Sequence, residues 1–196
     1  MRFALVLACL VGCDEVYSLD RPPVDAVDAP VEVPVDAFDR ASCPADYTLQ
    51  PANLPSAYRI IVAPAVAGLQ LQECDGDGPG ITHLAQLDSQ AETAYLAGQL
   101  QDVALTNAWI GGVQPAGNTV LASGWIGVDG TSLISTVWGS NEPNDFDGAE
   151  DGQENFARLD TDRLFLIDIA AFVASPAICE CDGRASDPAF VSAYRP

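Results

Sequence analysis

Four cysteines in the body of this 196-residue chain, Cys43, Cys74, Cys179 and Cys181, limit what it can fold into more than any other feature. The remaining two of the six lie near the N-terminus, Cys9 inside an apolar run and Cys13 shortly after it. In an exported chain an even number of cysteines implies disulfides, here two, with three pairings open. A bridge between Cys179 and Cys181 would be strained. Residues two apart on a strand point to one face, and each is free to reach a distant partner, so long-range bridges are expected. Zinc is the competing use of four thiols, but its ligands come in close pairs on both sides of the site, and Cys43 and Cys74 are too isolated for that.

The N-terminus supplies the export context. Met1 and Arg2 form a minimal positive start, Phe3 to Val11 is apolar, and Leu10-Val11-Gly12-Cys13 closes the run. This resembles a bacterial lipoprotein signal, which implies a signal peptide over 1–12 and acylation of Cys13. Nine apolar residues are too few for a membrane-spanning helix, which needs about 20. Acyl chains contribute ~0.8 kcal/mol per buried methylene, so several of them would hold the protein on a membrane. The expected location is the bacterial cell envelope, extracytoplasmic and lipid-anchored, with the leaflet left open.

Residues 13–42 read as the lipidated Cys and an acidic, Pro-rich tether. A Val-Asp-Ala unit recurs at 24–26, 27–29 and 35–37, four prolines interrupt it, and eight carboxylates face two Arg between Asp14 and Ser42. Such a segment stays extended at about 3 Å per residue and is assigned no secondary structure. The whole chain has 28 Asp and Glu against 8 Arg and no Lys, a net charge of -20. No basic face can form from that set, which excludes nucleic acid as a partner and leaves the lipid anchor as the one expected membrane contact.

Within 43–196, Ser89-Gln90-Ala91-Glu92 is a capping box, and Leu84, Leu87, Ala91, Tyr95 and Leu100 mark one apolar face of a helix over roughly 89–100. A shorter helix is expected before Cys74. Trp109-Ile110, Trp125-Ile126, Phe165-Leu166-Ile167 and Ala177 to Cys181 read as strands. Asp129 to Glu154 is a long polar stretch, and loops of that length are usually functional or disordered; Trp138 and Phe146 argue for order. Asp75-Gly76-Asp77-Gly78 looks calcium-like, but Pro79 and Gln86 fall where an EF-hand needs ligands, so a turn is expected. His83 reads as structural.

Taken in order, Cys43-Pro44 with Tyr47, Tyr58-Arg59, Cys74, His83-Leu84-Ala85 with Ser89 and Glu92, Trp109-Ile110-Gly111, Trp125 with Asp129-Gly130, Trp138, Glu142-Pro143-Asn144 and Ile178-Cys179-Glu180 resemble the C-type lectin-like domain over about 43–182. The resemblance implies an α+β fold with two helices flanking small antiparallel sheets and a long loop that carries ligands. It implies bridges Cys74–Cys179 and Cys43–Cys181. The family's inner disulfide would fall near Phe156 and Ala171, so both of its cysteines are missing here. Where the family has a Trp-Asn-Asp motif this chain has Leu166-Ile167-Asp168, and Ile167 supplies no amide oxygen.

Independently of the family, Glu142 and Asn144 set two oxygen-bearing side chains around a proline, with Asp145, Asp147, Glu150, Asp151 and Glu154 close behind in the chain. Calcium takes about 6 to 8 oxygens, so such a cluster suits it. The resemblance implies that Glu142, Asn144 and Asp168 hold calcium and also bind a sugar, with Glu150 or Glu154 as the remaining acid. A module that binds a glycan through calcium is the expected function. The same fold used for calcium-independent binding of a cell-surface protein is the alternative. An enzyme is not expected, since the single His sits in a packing position and no nucleophile elbow or phosphate loop is present.

Overall fold

The computed structural model describes residues 38–194 apart from 119, 134–136, 147, 149 and 150. The element order is β1 (Ala57–Ala65), α1 (Ala67–Asp77), β2 (Thr82–Leu84), α2 (Gln90–Asp102), β3 (Asn107–Val113), β4 (Ile126–Gly127), β5 (Phe156–Asp160), β6 (Phe165–Ile169), β7 (Ser175–Cys181) and α3 (Pro188–Tyr194). The strands form one sheet in the order β1-β7-β3-β5-β6, with β2 also on β7 and β4 on β3. Pairings are antiparallel except β3 with β7, which run parallel through Trp109 and Ala177. The sheet is therefore single and mixed, not a set of small antiparallel sheets.

Two-residue alternation builds a core on each face of this sheet. On one side Trp109, Ala177, Cys179 and Cys181 meet Leu71 and Cys74 of α1 and Phe190 and Tyr194 of α3. On the other, Ile110 and Ile178 meet Leu96, Ala97 and Leu100 of α2. β7 is buried along nearly its whole length, which is why it can carry both bridges: Cys43–Cys181 and Cys74–Cys179, with Cα separations of 5.9 and 5.3 Å. Gly111 lies where β3 meets the chain after β2, and its N–H donates to Ala85 O at 2.7 Å. A Cβ there would come within 2.8 Å of Leu84 O and overlap Val128. Gly111→Ala is expected to lower stability by about 1–3 kcal/mol, read as a reduced urea midpoint with an unchanged m-value.

Several sequence expectations are corrected. A third helix, α3, flanks the sheet; Pro188 at its start and Asp187, which accepts from Ala189 N at 2.7 Å, are the local signals for it. The shorter helix expected before Cys74 is α1, but it runs on through Cys74 to Asp77, so Asp75 and Asp77 are helical and not in a turn. Thr82 holds the helix end, donating to Cys74 O at 2.7 Å while accepting from Gly78 N at 2.9 Å. β1, β2 and β5 fall outside the runs singled out as strands. The last residues of the supposed tether belong to the domain: Asp39 accepts from Ala41 N to cap a 3-10 turn over Arg40–Ser42, and the Phe38 ring covers the bare face of Gly183.

The capping box is half formed. Ser89 Oγ accepts from Glu92 N at 3.2 Å, but the Glu92 carboxylate turns away to accept from Tyr58 Oη at 2.5 Å and Asp88 N at 2.8 Å. In place of the missing inner disulfide, Phe156 and Ala171 join one apolar cluster, with the Phe156 ring edge-on to Tyr194 at 4.9 Å.

Candidate functional site

The long loop leaves β4 and returns at β5, and buried carboxylates hold its far half in place. Asp168, on β6, accepts from Asn144 N at 2.9 Å and from Asp145 N at 2.6 Å. Asp145, only 3% exposed, accepts from the main-chain N–H of Asp151 at 2.6 Å, Gly152 at 3.1 Å and Glu154 at 2.7 Å. Burial pushes the Asp145 carboxyl up, but these amides outweigh it and leave it below the usual carboxylate range. One acid thus fastens the loop to the sheet and the other fastens it to itself. The sequence showed Asp145 only as one more acid in the cluster.

On that frame the Glu142–Pro143 peptide is cis, and Asn144 Nδ2 donates to Glu142 Oε2 at 2.6 Å. Glu142 is crowded. Burial, a hydrogen bond shared with Asp168, and the charges of Asp168 and Glu154 push its carboxyl up to about 8. Glu154 is raised by burial and by the charges of Asp168 and Asp145. The structure therefore brings Glu142, Asn144, Glu154 and Asp168 to one place. Glu150 lies outside the described residues. Phe146 does not anchor the loop as expected; it is 85% exposed, whereas Trp138 packs edge-on against Trp125 at 4.6 Å.

This donor set is all oxygen and its excess charge is negative, which fits the chemistry of calcium. Glu142, Asn144, Glu154 and Asp168 would hold the ion, and Ile167 would contribute nothing. The acids are more open than a closed cage. Among the described residues the one trio whose ligand atoms lie within 4.8 Å of one another is elsewhere, at His83, Glu180 and Asp182.

That trio is an ion-pair network. His83 faces acceptors on both ring nitrogens, Leu84 O at 2.8 Å and Asp182 Oδ1 at 2.9 Å, so both carry protons and the buried ring is an imidazolium. Glu180 accepts from Ser56 Oγ at 2.5 Å and Gln86 N at 3.0 Å. Arg184 pairs with Asp182 and reaches Asp88 at 3.4 Å and Asp129 at 3.5 Å. Two cations already occupy the space a metal would need.

No protein-family model matches the sequence, and no curated protein matches it. Solved structures do match the fold. The C-type lectin CEL-I from Cucumaria echinata is 18% identical over 71% of this chain and 96% of that one, with a TM-score of 0.57. The carbohydrate-recognition domain of the human scavenger receptor C-type lectin is 21% identical over 72% and 99%, with a TM-score of 0.57. A calcium-independent type II antifreeze protein is 22% identical over 74% and 95%, with a TM-score of 0.54.

Proposed function

We propose, from the C-type lectin-like fold of this chain as premise, that its long loop is a calcium-dependent carbohydrate-recognition face. The fold is α+β and stapled by two disulfides. The observation that carries the reading is the junction of Glu142, Asn144 and Asp168. A carboxylate and a carboxamide across a cis proline meet at 2.6 Å, and a second carboxylate fixes the backbone at Asn144 and Asp145. When bound, the ion would supply charge neutralisation and open coordination positions for vicinal hydroxyls. Glu142 and Asn144 would present the remaining acceptors and donors to the sugar, while Asp168 holds the Asn144 backbone and Asp145 holds the returning segment at 151–154. Lipid attachment at Cys13, the acidic tether and a place on the bacterial envelope complete the proposal. Its ligand would be a glycan outside the lipid layer.

Isothermal titration of the chelated protein with calcium, and then with saccharide in calcium, tests this. Saturable calcium binding that raises the melting temperature is expected, and Glu142→Ala or Asn144→Ala should weaken it at least tenfold. An absence of binding at millimolar calcium would sink the mechanism. A second reading, calcium-independent recognition of a cell-surface protein, draws on Ile167 in the ligand position and on Asp168 already accepting from two main-chain amides.

A further inference from the structure

We propose that the cleft between the turn at 115–118 and the segment 151–155 is a second saccharide subsite, so that the ligand is an oligosaccharide spanning two places. This rests on the glycan reading above. The cleft has a volume of about 320 Å³ and is lined by Ala116, Gly117, Asn118, Asp151, Gly152 and Asn155. That volume is at the lower end for small-ligand pockets, roughly 300–1,000 Å³, and suits a single sugar ring.

The lining chemistry selects the ligand class. Two carboxamides and one carboxylate line it, the Asn118 amide already donating one hydrogen to Pro115 O at 2.9 Å, and no cation or large apolar side chain is among the lining residues. An anion would be repelled by Asp151, and a hydrophobe would strand the amides. A metal ion finds a single carboxylate there, and both of its oxygens already accept from Gln153, through N at 3.1 Å and Nε2 at 2.5 Å. A neutral polyhydroxylated ring matches what is left. Gly117 and Gly152 have φ of +94° and +80°, and a Cβ on Gly117 would meet nothing within 4 Å, so main chain lies open to a ligand there.

Two further observations point the same way. Asn155 Oδ1 is shut from solvent with no hydrogen-bond donor. No protein donor locks that carboxamide at its acceptor end, and turning it into the cleft would give the oxygen a ligand hydroxyl. The cleft wall is also tied to the first site, because Asp145, next to Asn144, accepts from the N–H groups of Asp151 and Gly152. Asp145 therefore ties the cleft wall to the strand of loop that carries Asn144, which Asp168 in turn holds, and a chain of two or three sugars would engage both places together.

The test compares mannose and N-acetylglucosamine with their linear trisaccharides on the full protein in calcium, by titration calorimetry and by NMR of side-chain amide signals. A trisaccharide about tenfold tighter than its monosaccharide is expected, with shifted Asn118 and Asn155 amide signals. Ala116→Trp, an exposed position on the cleft wall, should remove the gain while monosaccharide affinity stays unchanged, and Ala116→Ser should keep it. Equal affinities, or a gain that survives Ala116→Trp, overturns the subsite while the loop reading stands. Trisaccharide binding that Ala116→Trp abolishes and Glu142→Ala leaves intact overturns the loop reading, and with it a ligand that spans two places. Binding of none of the four sugars overturns both.

Discussion

A variant with Cys43, Cys74, Cys179 and Cys181 all replaced by Ala is expected to be unfolded in water at 25 °C. The two bridges span 105 and 138 residues and are nested. Taken alone, either closes a loop worth about 5 kcal/mol in the chain-entropy model. Once the inner bridge is closed, however, the outer one shuts only the 33 residues by which 138 exceeds 105, worth about 3.5–4 kcal/mol. The pair together contributes about 8–9 kcal/mol, comparable with the whole stability of an ordinary domain, about 5–15 kcal/mol. Removing only Cys43 and Cys181 should therefore leave a cooperative transition, shifted by about 3.5–4 kcal/mol in urea. A sharp unfolding transition in the cysteine-free protein, monitored by near-UV circular dichroism, would refute this account.

His83→Ala is expected to cost about 3–5 kcal/mol at pH 6, because it removes the buried cation that pairs with the Asp182 carboxylate and leaves that carboxylate with Arg184 alone. The pH dependence comes from the same groups. Burial lowers the His83 pKa, but the hydrogen bond to Asp182 and the charges of Glu180 and Asp182 outweigh it, so the net shift is upward. Its contribution is then complete below the unfolded value of about 6.5 and is lost as pH rises through the folded value. Burial pushes Glu180 up, His83 pulls it back, and it settles at about 7. Its folded form holds a proton that the unfolded chain has already released, so stability also falls between about pH 4.5 and 7.

Asp182 runs the other way. Burial raises it, but the His83 hydrogen bond and charge bring it down to about 2, and its contribution is lost as pH falls from about 4 toward that value. Urea stability should thus peak on the acid side of neutrality and decline from pH 5 to 9, by up to about 1.4 kcal/mol per pH unit for each group titrating. A flat profile over that range, or an undiminished decline in His83→Gln, would contradict the assignment of the imidazolium.

How far the sequence could be read depended on whether a feature was local. Ser89 capping α2 and the strand ending at Cys181 were legible because each signal lies within a few residues of its effect. The cysteine count alone left three pairings, and only the resemblance separated them. The end of α1 was missed because Asp75-Gly76-Asp77 is poor helix sequence; Tyr47 Oη, at 2.9 Å, and Arg59, at 2.5 Å, hold Asp77 from outside the helix. At the candidate site Glu142, Asn144 and Asp168 could be named in advance, and Glu154 only as an alternative to Glu150. Asp145 could not, since nothing in the order of acids shows which one turns inward to take three main-chain amides. His83 was read as structural, but its charge depends on Asp182, 99 residues away.

The Cys43–Cys181 bridge also decides how the domain bears a pull. Tension arriving through the residues ahead of Phe38 can strip that ring from Gly183 and unwind the 3-10 turn, and then it meets a covalent bond. From Cys181 the load passes into β7, which β1, β2 and β3 grip from both sides. The loop with Glu142 and Asn144 hangs from β5 and β6 at the opposite edge of the sheet, so its shape is insulated from the point where the force enters.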